Sequence, residues 1–338
     1  MEIMQEENSD REPRMVYNRI NYLNTLNCRE FRLRFRLTKL QFNEVLVQIE
    51  DEIVQTDINN AVTPTIQLLV ALRFYATGCF LQVVGDFCGI STKTAQRIVH
   101  RISEVIARKL FPLYVKLPRG EAHQVRTLSQ NFKISGMPRV IGAIDCVHVR
   151  IKSYGGEDAE LWRNRKGYFS INVQCLVNSD LELMDVVARW PGSTHDSTIF
   201  ANSRLKHRFD HYECGNGLIL GDRGYCNQRY LMTPLANPNT PAEVLYNEAH
   251  IRTRCMVERC FGCWGRIFPV LTIGSRFKTP DRTINVILAT AVLYNITRRD
   301  KRKIPRGIGH YLSIPYSTSD PTNDDRQYLI NEYFSRLT

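Results

Sequence analysis

The stretch IGAIDCVHVRI, from Ile141 to Ile151, has the apolar and β-branched composition of a buried strand. One aspartate, Asp145, stands in its middle, and His148 follows three residues later. Aspartate is depleted in strands, and a carboxylate among apolar neighbours is costly unless it is paired, hydrogen-bonded or bound to a metal. The stretch therefore predicts the core strand of a sheet and, within it, a functional acid.

The segments after this strand predict a mixed sheet. Short β-rich runs occupy residues 170–179, 181–190 and 217–225, and helical patterns occupy residues 193–209, 246–268 and 283–299. Three strands, a helix, a further strand and then helices are typical of an α/β domain whose sheet is flanked by helices. We assign this domain to residues 139–300.

The chain before the sheet is predicted to be helical from residue 31 to residue 117. Thr38 and Thr63 precede apolar patterns of helical period, and Pro64 suits a first helical turn. Polar residues 118–138 read as a linker. Residues 1–30 are expected to form a largely disordered tail, and residues 301–338 a C-terminal tail with one short ordered segment, 325–337.

Residues 80–110 show a helix-turn-helix pattern. A short helix ends near Cys88 and Gly89, and Ser91 is placed to cap the next helix. The polar side of that second helix carries Lys93, Gln96, Arg97, His100 and Arg101. Such residues can contact phosphates or base edges in a major groove, but a helical hairpin with a solvated face has the same pattern.

Composition limits the class of protein. The 338 residues are 43% apolar and carry a net charge of +11, which suits either a partner rich in phosphate or a mildly basic enzyme. The polar N-terminus is unlike a signal peptide. Ten scattered cysteines fit a reducing compartment, and the single pair Cys260 and Cys263 supplies too few ligands for a structural zinc site.

Three acids stand at structurally distinct places. Asp145 lies inside a strand, Asp222 follows the strand GLIL, and Glu258 lies on the helix of residues 246–268. If they converge, they supply the oxygen ligands that a pair of divalent cations needs for hydrolysis.

Each of these acids also has a structural interpretation. Glu258 has Arg254 four residues earlier as an ion-pair partner, and Asp222 precedes Gly224 in a common turn pattern. His148 is separated from Asp145 by three residues, so an unbroken strand would direct the two side chains to opposite faces. We therefore expect a structural role for His148.

Five motifs in order give the chain a family resemblance. GAIDCVHVRI, NRKGYFSINVQCLVNSD, WPGSTHDSTIF, GDRGY and YNEAHIRTRCMVERCFG together resemble the DDE transposases of PIF/Harbinger elements, and within them the domesticated transposase-derived nucleases. The resemblance covers roughly residues 37–299. It implies a ribonuclease H-like catalytic domain after a helical region.

The resemblance also implies site residues. Its catalytic Asp-Asp-Glu triad falls on Asp145, Asp222 and Glu258, with two Mg²⁺ or Mn²⁺ ions as cofactors. Asp196 matches a further acid and is a fourth candidate metal ligand, although an acid in the first turn of a helix also suits the helix dipole. The sequence departs from the family at Arg223, beside Asp222, where a cation could compete with a metal or hold a phosphate.

The function expected from these features is two-metal hydrolysis of DNA by a transposase-derived endonuclease. Arg163, Arg165 and Lys166 are candidate phosphate contacts, or alternatively a solvated loop. The family implies a Myb/SANT-like DNA-binding partner protein and a nuclear location, with some cytoplasmic protein, and the basic residues 297–303 could act as a nuclear signal. The alternative is a catalytically silent protein that binds DNA or a partner.

Overall fold

The structure, a computed structural model, describes residues 19–54, 61–118, 121–299 and 325–338. The helices before the sheet are α1 (Tyr22–Thr25), α2 (Cys28–Phe35), α3 (Lys39–Ile53), α4 (Pro64–Thr77), α5 (Leu81–Cys88), α6 (Thr92–Val105), α7 (Phe111–Tyr114) and α8 (Glu121–Ser135). The strands are β1 (Val140–Arg150), β2 (Ser170–Val177), β3 (Leu183–Pro191), β4 (Leu218–Leu220) and β5 (Leu231–Met232). The later helices are α9 (Asp196–Ala201), α10 (Arg204–Asp210), α11 (Pro241–Ile267), α12 (Val270–Ile273), α13 (Pro280–Arg299) and α14 (Asp325–Tyr328).

The sheet is mixed, with the strand order β3-β2-β1-β4-β5. β1, β2 and β3 pair antiparallel, whereas β4 runs parallel to β1 and β5 parallel to β4. Helices pack on both faces, and a helical region precedes the sheet. The predicted α/β class, with its ribonuclease H-like mixed sheet, is confirmed.

β1 divides the core into two layers because alternate side chains point to opposite faces. Val149 and Val173 belong to the cluster shared with α11 and α13, whereas Ile144 packs in a second cluster with Phe200 of α9 and Leu205 of α10. β1 is therefore covered on both faces, which explains its nearly continuous apolar sequence.

The helical region begins its helices as the sequence predicts. Thr38 and Thr63 cap α3 and α4, and the Ser91 hydroxyl accepts a hydrogen bond from the Thr94 N–H at the start of α6. Gly89 ends α5 with a φ of 66°, a left-handed conformation that glycine adopts without steric cost. The polypeptide continues from α6 through a π-helical turn, Ile106–Leu110, into α7.

The helical region and the sheet share one hydrophobic core. Asn295 of α13 connects them, since its side-chain amide donates to the carbonyls of Tyr114 and Leu183 at 2.9 and 2.7 Å. Gln41 of α3 reaches the same helix and donates to the carbonyl of Ile296. α13 thus packs between the helical region and β3.

Most of the segment that is predicted to be a linker, residues 118–138, forms helix α8 in the structure. The buried face of α8 is polar, with Thr127, Ser129 and Asn131 inside, so it lacks the apolar period that signals a helix. The Asn131 amide donates to the carbonyls of Val140 and Ile141, where the pairing of β1 with β4 is irregular. α8 therefore anchors the start of β1.

The structure describes part of each predicted tail, and the short ordered segment predicted at residues 325–337 is present. α1 and the first residues of α2 lie within predicted tail 1–30, and Tyr22 stacks on Phe87 with ring centroids 4.4 Å apart. At the other end, Phe334 follows α14 and packs against Tyr246 of α11. Residues 1–18 and 300–324 lie outside the described part. No helix in that part is long and apolar enough to cross a bilayer.

Candidate active site

Asp145 and Asp222 are brought together by the parallel pairing of β1 and β4. Ala143 pairs with Leu220 across the two strands, and each aspartate lies two residues beyond that pair. Asp222 stands where β4 has ended, and its Oδ1 accepts a hydrogen bond from the Gly224 N–H at 2.8 Å. The turn role expected of Asp222 therefore coexists with a place beside Asp145.

Glu258 reaches Asp145 through an arginine. Arg254 Nη1 lies 3.0 Å from Asp145 Oδ2, and Arg254 Nη2 lies 2.6 Å from Glu258 Oε1. The side chains of Arg254 and Asp145 are 19% and 17% exposed, whereas that of Glu258 is 54% exposed. The ion pair considered for Glu258 is thus present, but its guanidinium is shared with Asp145 and stands between the two acids.

The electrostatics of Asp145 reflect its crowded surroundings. Burial raises the pKa of Asp145 to about 6, while the N–H of Cys146 lowers it; the charge of Asp222 raises it and that of Arg254 lowers it. Asp196 makes a smaller contribution that raises the pKa. Negative charge is therefore in excess around Asp145 even with Arg254 in place.

Asp196 lies in the first turn of α9, directly after the N-cap residue His195. Its Oδ1 accepts a hydrogen bond from the Asn172 amide at 2.9 Å. Asn172 pairs with His148 across β1 and β2, so Asp196 is held on the sheet face opposite to Arg254. The charge of Asp196 therefore still raises the pKa of Asp145, but the Asp196 carboxylate is hydrogen-bonded to Asn172.

His148 does not share a face with Asp145, as the strand period predicts. Its Nδ1 lies 3.0 Å from the Ser170 hydroxyl. Burial lowers the pKa of His148; Asp196 opposes this shift, and Arg165 and Lys166 add to it. His148 is a neutral, hydrogen-bonded residue on the face of β1 opposite to Asp145.

Arg223 is directed away from Asp222. Its guanidinium donates to the carbonyls of Leu235 and Ala236 at 3.1 and 3.3 Å. Arg223, where the sequence departs from the family pattern, therefore binds a neighbouring loop. Arg254, rather than Arg223, pairs with the acids.

The donors match a hard divalent cation in kind. The acids offer only carboxylate oxygens, the ligands that Mg²⁺ and Mn²⁺ prefer, and the Arg254 guanidinium already places a positive charge between Asp145 and Glu258. In their present positions, however, no three His, Cys, Asp or Glu side chains among the described residues come close enough together to hold a metal ion.

The predicted DNA-contacting side chains of α6 have different environments. Lys93 and Arg97 are exposed and Gln96 is half-buried, whereas the Arg101 guanidinium donates to the carbonyl of Glu52 at 2.6 Å. His100 does not belong to the polar side.

His100 instead packs edge-on against Phe277, with ring centroids 4.5 Å apart. Burial, with a contribution from Arg282, lowers the pKa of His100 to about 4. The sequence pattern places His100 on the polar side of α6. This is wrong for His100, because α13 and the loop before it cover its side chain.

The basic residues of the loop between β1 and β2 also have different environments. Arg163 binds the Glu160 carboxylate at 2.6 Å and the Gly167 carbonyl at 3.0 Å. Arg165 and Lys166 are exposed at the same turn.

Sequence reasoning missed the contact between Arg254 and Asp145. The spacing of four residues identifies Arg254 as a partner of Glu258, but nothing in the sequence relates it to a strand 109 residues away. Only the packing of α11 against β1 brings them together.

Comparison with known proteins places the chain in a family. The profile of the DDE superfamily endonucleases matches residues 144–295. "Putative nuclease HARBI1" of Homo sapiens is 35% identical over 246 residues, which are 72% of this chain and 69% of the human protein. The Xenopus laevis protein of the same name is 29% identical over 71% of this chain and 70% of its own length.

A plant protein, "Protein ALP1-like" of Arabidopsis thaliana, is 23% identical over 83% of this chain and 73% of its own length. No solved structure shows significant similarity to the chain. The matched profile begins within β1 and ends within α13, so it includes all three acids of the predicted triad. The chain therefore belongs to the PIF/Harbinger family of transposase-derived DDE nucleases.

Proposed function

We propose that this protein is a metal-dependent endonuclease that hydrolyses phosphodiester bonds of DNA. The observation that carries the proposal is the meeting of Asp145 and Asp222 at one edge of the sheet, with Glu258 joined to Asp145 through Arg254. The nuclease names of its relatives agree with this assignment.

In this proposal the acids would hold two Mg²⁺ or Mn²⁺ ions. Asp145, Asp222 and Glu258 would hold the ions, and Asp196 would join them on leaving Asn172 at the other face of the sheet. Such a pair activates an attacking water and neutralises the leaving 3′-oxygen. The chain would contribute the position of Asp145, fixed by β1, and the accessible carboxylate of Glu258, whose side chain is 54% exposed.

Arg254 would have to release the acids before they can act together. Its guanidinium donates to Asp145 Oδ2 and Glu258 Oε1. Once released, it would remain at the edge of the site as a cation suited to a phosphate.

The substrate would contact exposed basic side chains by its phosphates. Arg165 and Lys166 lie at the turn between β1 and β2, and Lys93 and Arg97 lie on α6. Gln96, Arg101 and Arg163 are weaker candidates, since Gln96 is half-buried and both arginines bind protein acceptors.

A nicking assay on supercoiled DNA tests the proposal. Wild-type protein should nick the plasmid with Mg²⁺ or Mn²⁺ and stop with EDTA, while Asp145→Asn and Glu258→Gln should lose at least about a hundredfold in rate, as expected for lost electrostatic stabilisation of the reaction. The matched control is Glu248→Gln, an exposed acid on the same helix that is also paired with an arginine four residues away. Equal cleavage by wild type and Asp145→Asn would refute the proposal.

A silent DNA-binding or partner-binding protein is the second candidate. It is favoured by the Arg254 guanidinium, which pairs with both Asp145 and Glu258. Under this alternative, fluorescence anisotropy would show DNA binding of equal strength in wild type and Asp145→Asn, and no metal would support nicking.

A Myb/SANT-like DNA-binding partner and a nuclear location, with some cytoplasmic protein, complete the proposal. Both rest on the family. Their test is the location of a fluorescent fusion in cells, alone and with such a partner co-expressed, and with the basic residues Arg298, Arg299, Lys301, Arg302 and Lys303 replaced by glutamine. An unchanged distribution in every case would exclude both the basic cluster and the partner as determinants of location.

A further inference from the structure

A cavity of about 270 Å³ lies beside the acids, between β1 and the second half of α11. Its walls include His148 and Arg150 of β1, Phe261 and Trp264 of α11, and Tyr168 from the turn before β2. Pockets for drug-sized ligands usually begin at about 300 Å³. The size of this cavity therefore suits a single ring system.

The cavity has access to an open edge of β1. β4 pairs with β1 only from Val140 to Ala143, and the parallel bridge of Ile151 with Ser275 covers the far end. The Ser275 N–H donates to the carbonyl of Arg150, whereas the Ile151 N–H donates to Phe169 on the β2 side. Since alternate residues of an antiparallel strand point to opposite edges, the backbone N–H and carbonyl of His148 face the open edge.

The side chains add flat surfaces. The Trp264 side chain is 1% exposed and forms part of the wall, but its indole nitrogen is itself buried and offers no donor to the cavity. Tyr168 and Phe261 supply aromatic rings, and the exposed Arg150 guanidinium lies 4.3 Å from the Tyr168 ring centre.

The cavity lies a short distance beyond the acids along both α11 and β1. Phe261 and Trp264 follow Glu258 by three and six residues, a rise of about 4.5 and 9 Å along a helix. His148 follows Asp145 by three residues, or about 10 Å along a strand. This separation is within the reach of one nucleotide, and the exposed cations Arg150, Arg165 and Lys166 complement its phosphates.

We propose that this cavity holds one unpaired base of the DNA strand whose phosphodiester lies at the acids. The base stacks on an aromatic wall, while the His148 backbone contacts its edge. Stacking on an aromatic side chain offsets part of the cost of withdrawing a base from a duplex. This inference rests on the proposed function, since it needs a DNA substrate.

The Trp264 indole N–H gives a local readout in the full chain. The sequence contains three tryptophans and should give three indole N–H signals in a ¹⁵N spectrum. The signal that disappears in Trp264→Phe belongs to Trp264. A single-stranded oligonucleotide of mixed sequence should shift this signal, whereas an abasic oligonucleotide of equal length and charge should not. An equal shift with the abasic strand, or no shift when anisotropy shows that the strand is bound, would overturn the proposal.

A binding measurement completes the test. Tyr168→Ala should weaken binding of the mixed-sequence strand about fivefold to a hundredfold, as expected for loss of one stacked base, and should leave binding of the abasic strand unchanged. The control is Tyr212→Ala, an exposed tyrosine near α10. Equal losses for both strands would overturn the inference. Failure of every strand to bind would overturn the DNA function as well, whereas metal-dependent nicking with unchanged Trp264 and Tyr168 readouts would leave that function intact.

Discussion

Asp145 is the residue at which stability and function oppose each other. Its pKa is raised from 3.8 to about 6 by burial, with Asp222 adding to the effect. A raised pKa means that folding favours the protonated acid, so its stabilising contribution is complete below pH 4 and is lost as the pH rises through 6. At neutral pH the ionised carboxylate destabilises the metal-free fold.

Asp145→Asn should therefore stabilise the metal-free protein at neutral pH. We expect its free energy of unfolding at pH 7.5 to rise by up to about 3 kcal/mol, with the gain shrinking as the pH falls through 6 and vanishing near pH 4. Urea unfolding in EDTA across this pH range measures the difference. A gain that persists unchanged at pH 4 would contradict the assigned cause.

Asp210→Asn is a control of opposite sign. Burial raises the pKa of Asp210, but the Lys206 ammonium and the Tyr230 hydroxyl more than offset this and hold that pKa below its usual range. Its stabilising contribution is present at neutral pH and disappears in acid, so this variant should lose stability at pH 7.5 and match the wild type at low pH.

Arg254 is expected to compete with divalent cations for Asp145 and Glu258. Arg254→Met keeps the length of the side chain and removes the charge, so Mn²⁺ should bind at least about tenfold more tightly, because a charge pair at this distance is worth about 4 kcal/mol at an effective dielectric constant of 20. Electron paramagnetic resonance of free Mn²⁺ measures the affinity without any need for activity.

Arg252→Met is the matched control for this competition. Arg252 pairs with Glu248 on the same helix, and both side chains are more than half exposed. It should leave the Mn²⁺ affinity unchanged. Weaker Mn²⁺ binding in Arg254→Met than in the control would show that Arg254 positions the acids rather than competing for them.

At the scale of elements, helix α8 supports the start of β1, the strand that carries Asp145, by polar contacts. Asn131 is fully buried; its amide donates to Val140 and Ile141, and its Oδ1 accepts from the Ser179 N–H at 3.0 Å. Asn131→Ala leaves these backbone groups without partners. We expect a loss of at least about 3 kcal/mol in the free energy of unfolding, since three groups lose their partners and each costs about 1–3 kcal/mol.

The control for Asn131→Ala is Gln130→Ala, the preceding half-buried residue of the same helix. It should change the free energy of unfolding by less than about 0.5 kcal/mol, as most substitutions away from buried networks do. Equal losses in the two variants would show that α8 contributes helix propensity and not the three hydrogen bonds of Asn131.

The elements that sequence reasoning found and missed differ in what stabilises them. β1, α4 and α6 carry strong apolar or capping signals, so their place could be predicted. α8 buries polar residues, and β5 has two residues, too few to show a period. The adjacency of Asp145 and Asp222 depends on the register of β1 and β4, which the local sequence does not contain.

At the scale of the whole molecule, the shared core predicts that the helical region and the sheet unfold together. All three tryptophans, Trp162, Trp190 and Trp264, lie in the sheet region, whereas the far-ultraviolet circular dichroism reports mainly on the helices. Because α13 packs against both regions, urea unfolding should give the same midpoint for tryptophan fluorescence and for circular dichroism.

A substitution in the helical region tests directly whether the two regions unfold together. Phe42 of α3 is fully buried, so Phe42→Ala should cost about 3–5 kcal/mol and shift the tryptophan midpoint as far as the circular dichroism midpoint, although every tryptophan is in the other region. Leu40→Ala, on the same helix and 82% exposed, should shift neither. A tryptophan midpoint that stays at the wild-type value in Phe42→Ala would mean that the sheet folds without the helical region and that the Asn295 contacts do not couple them.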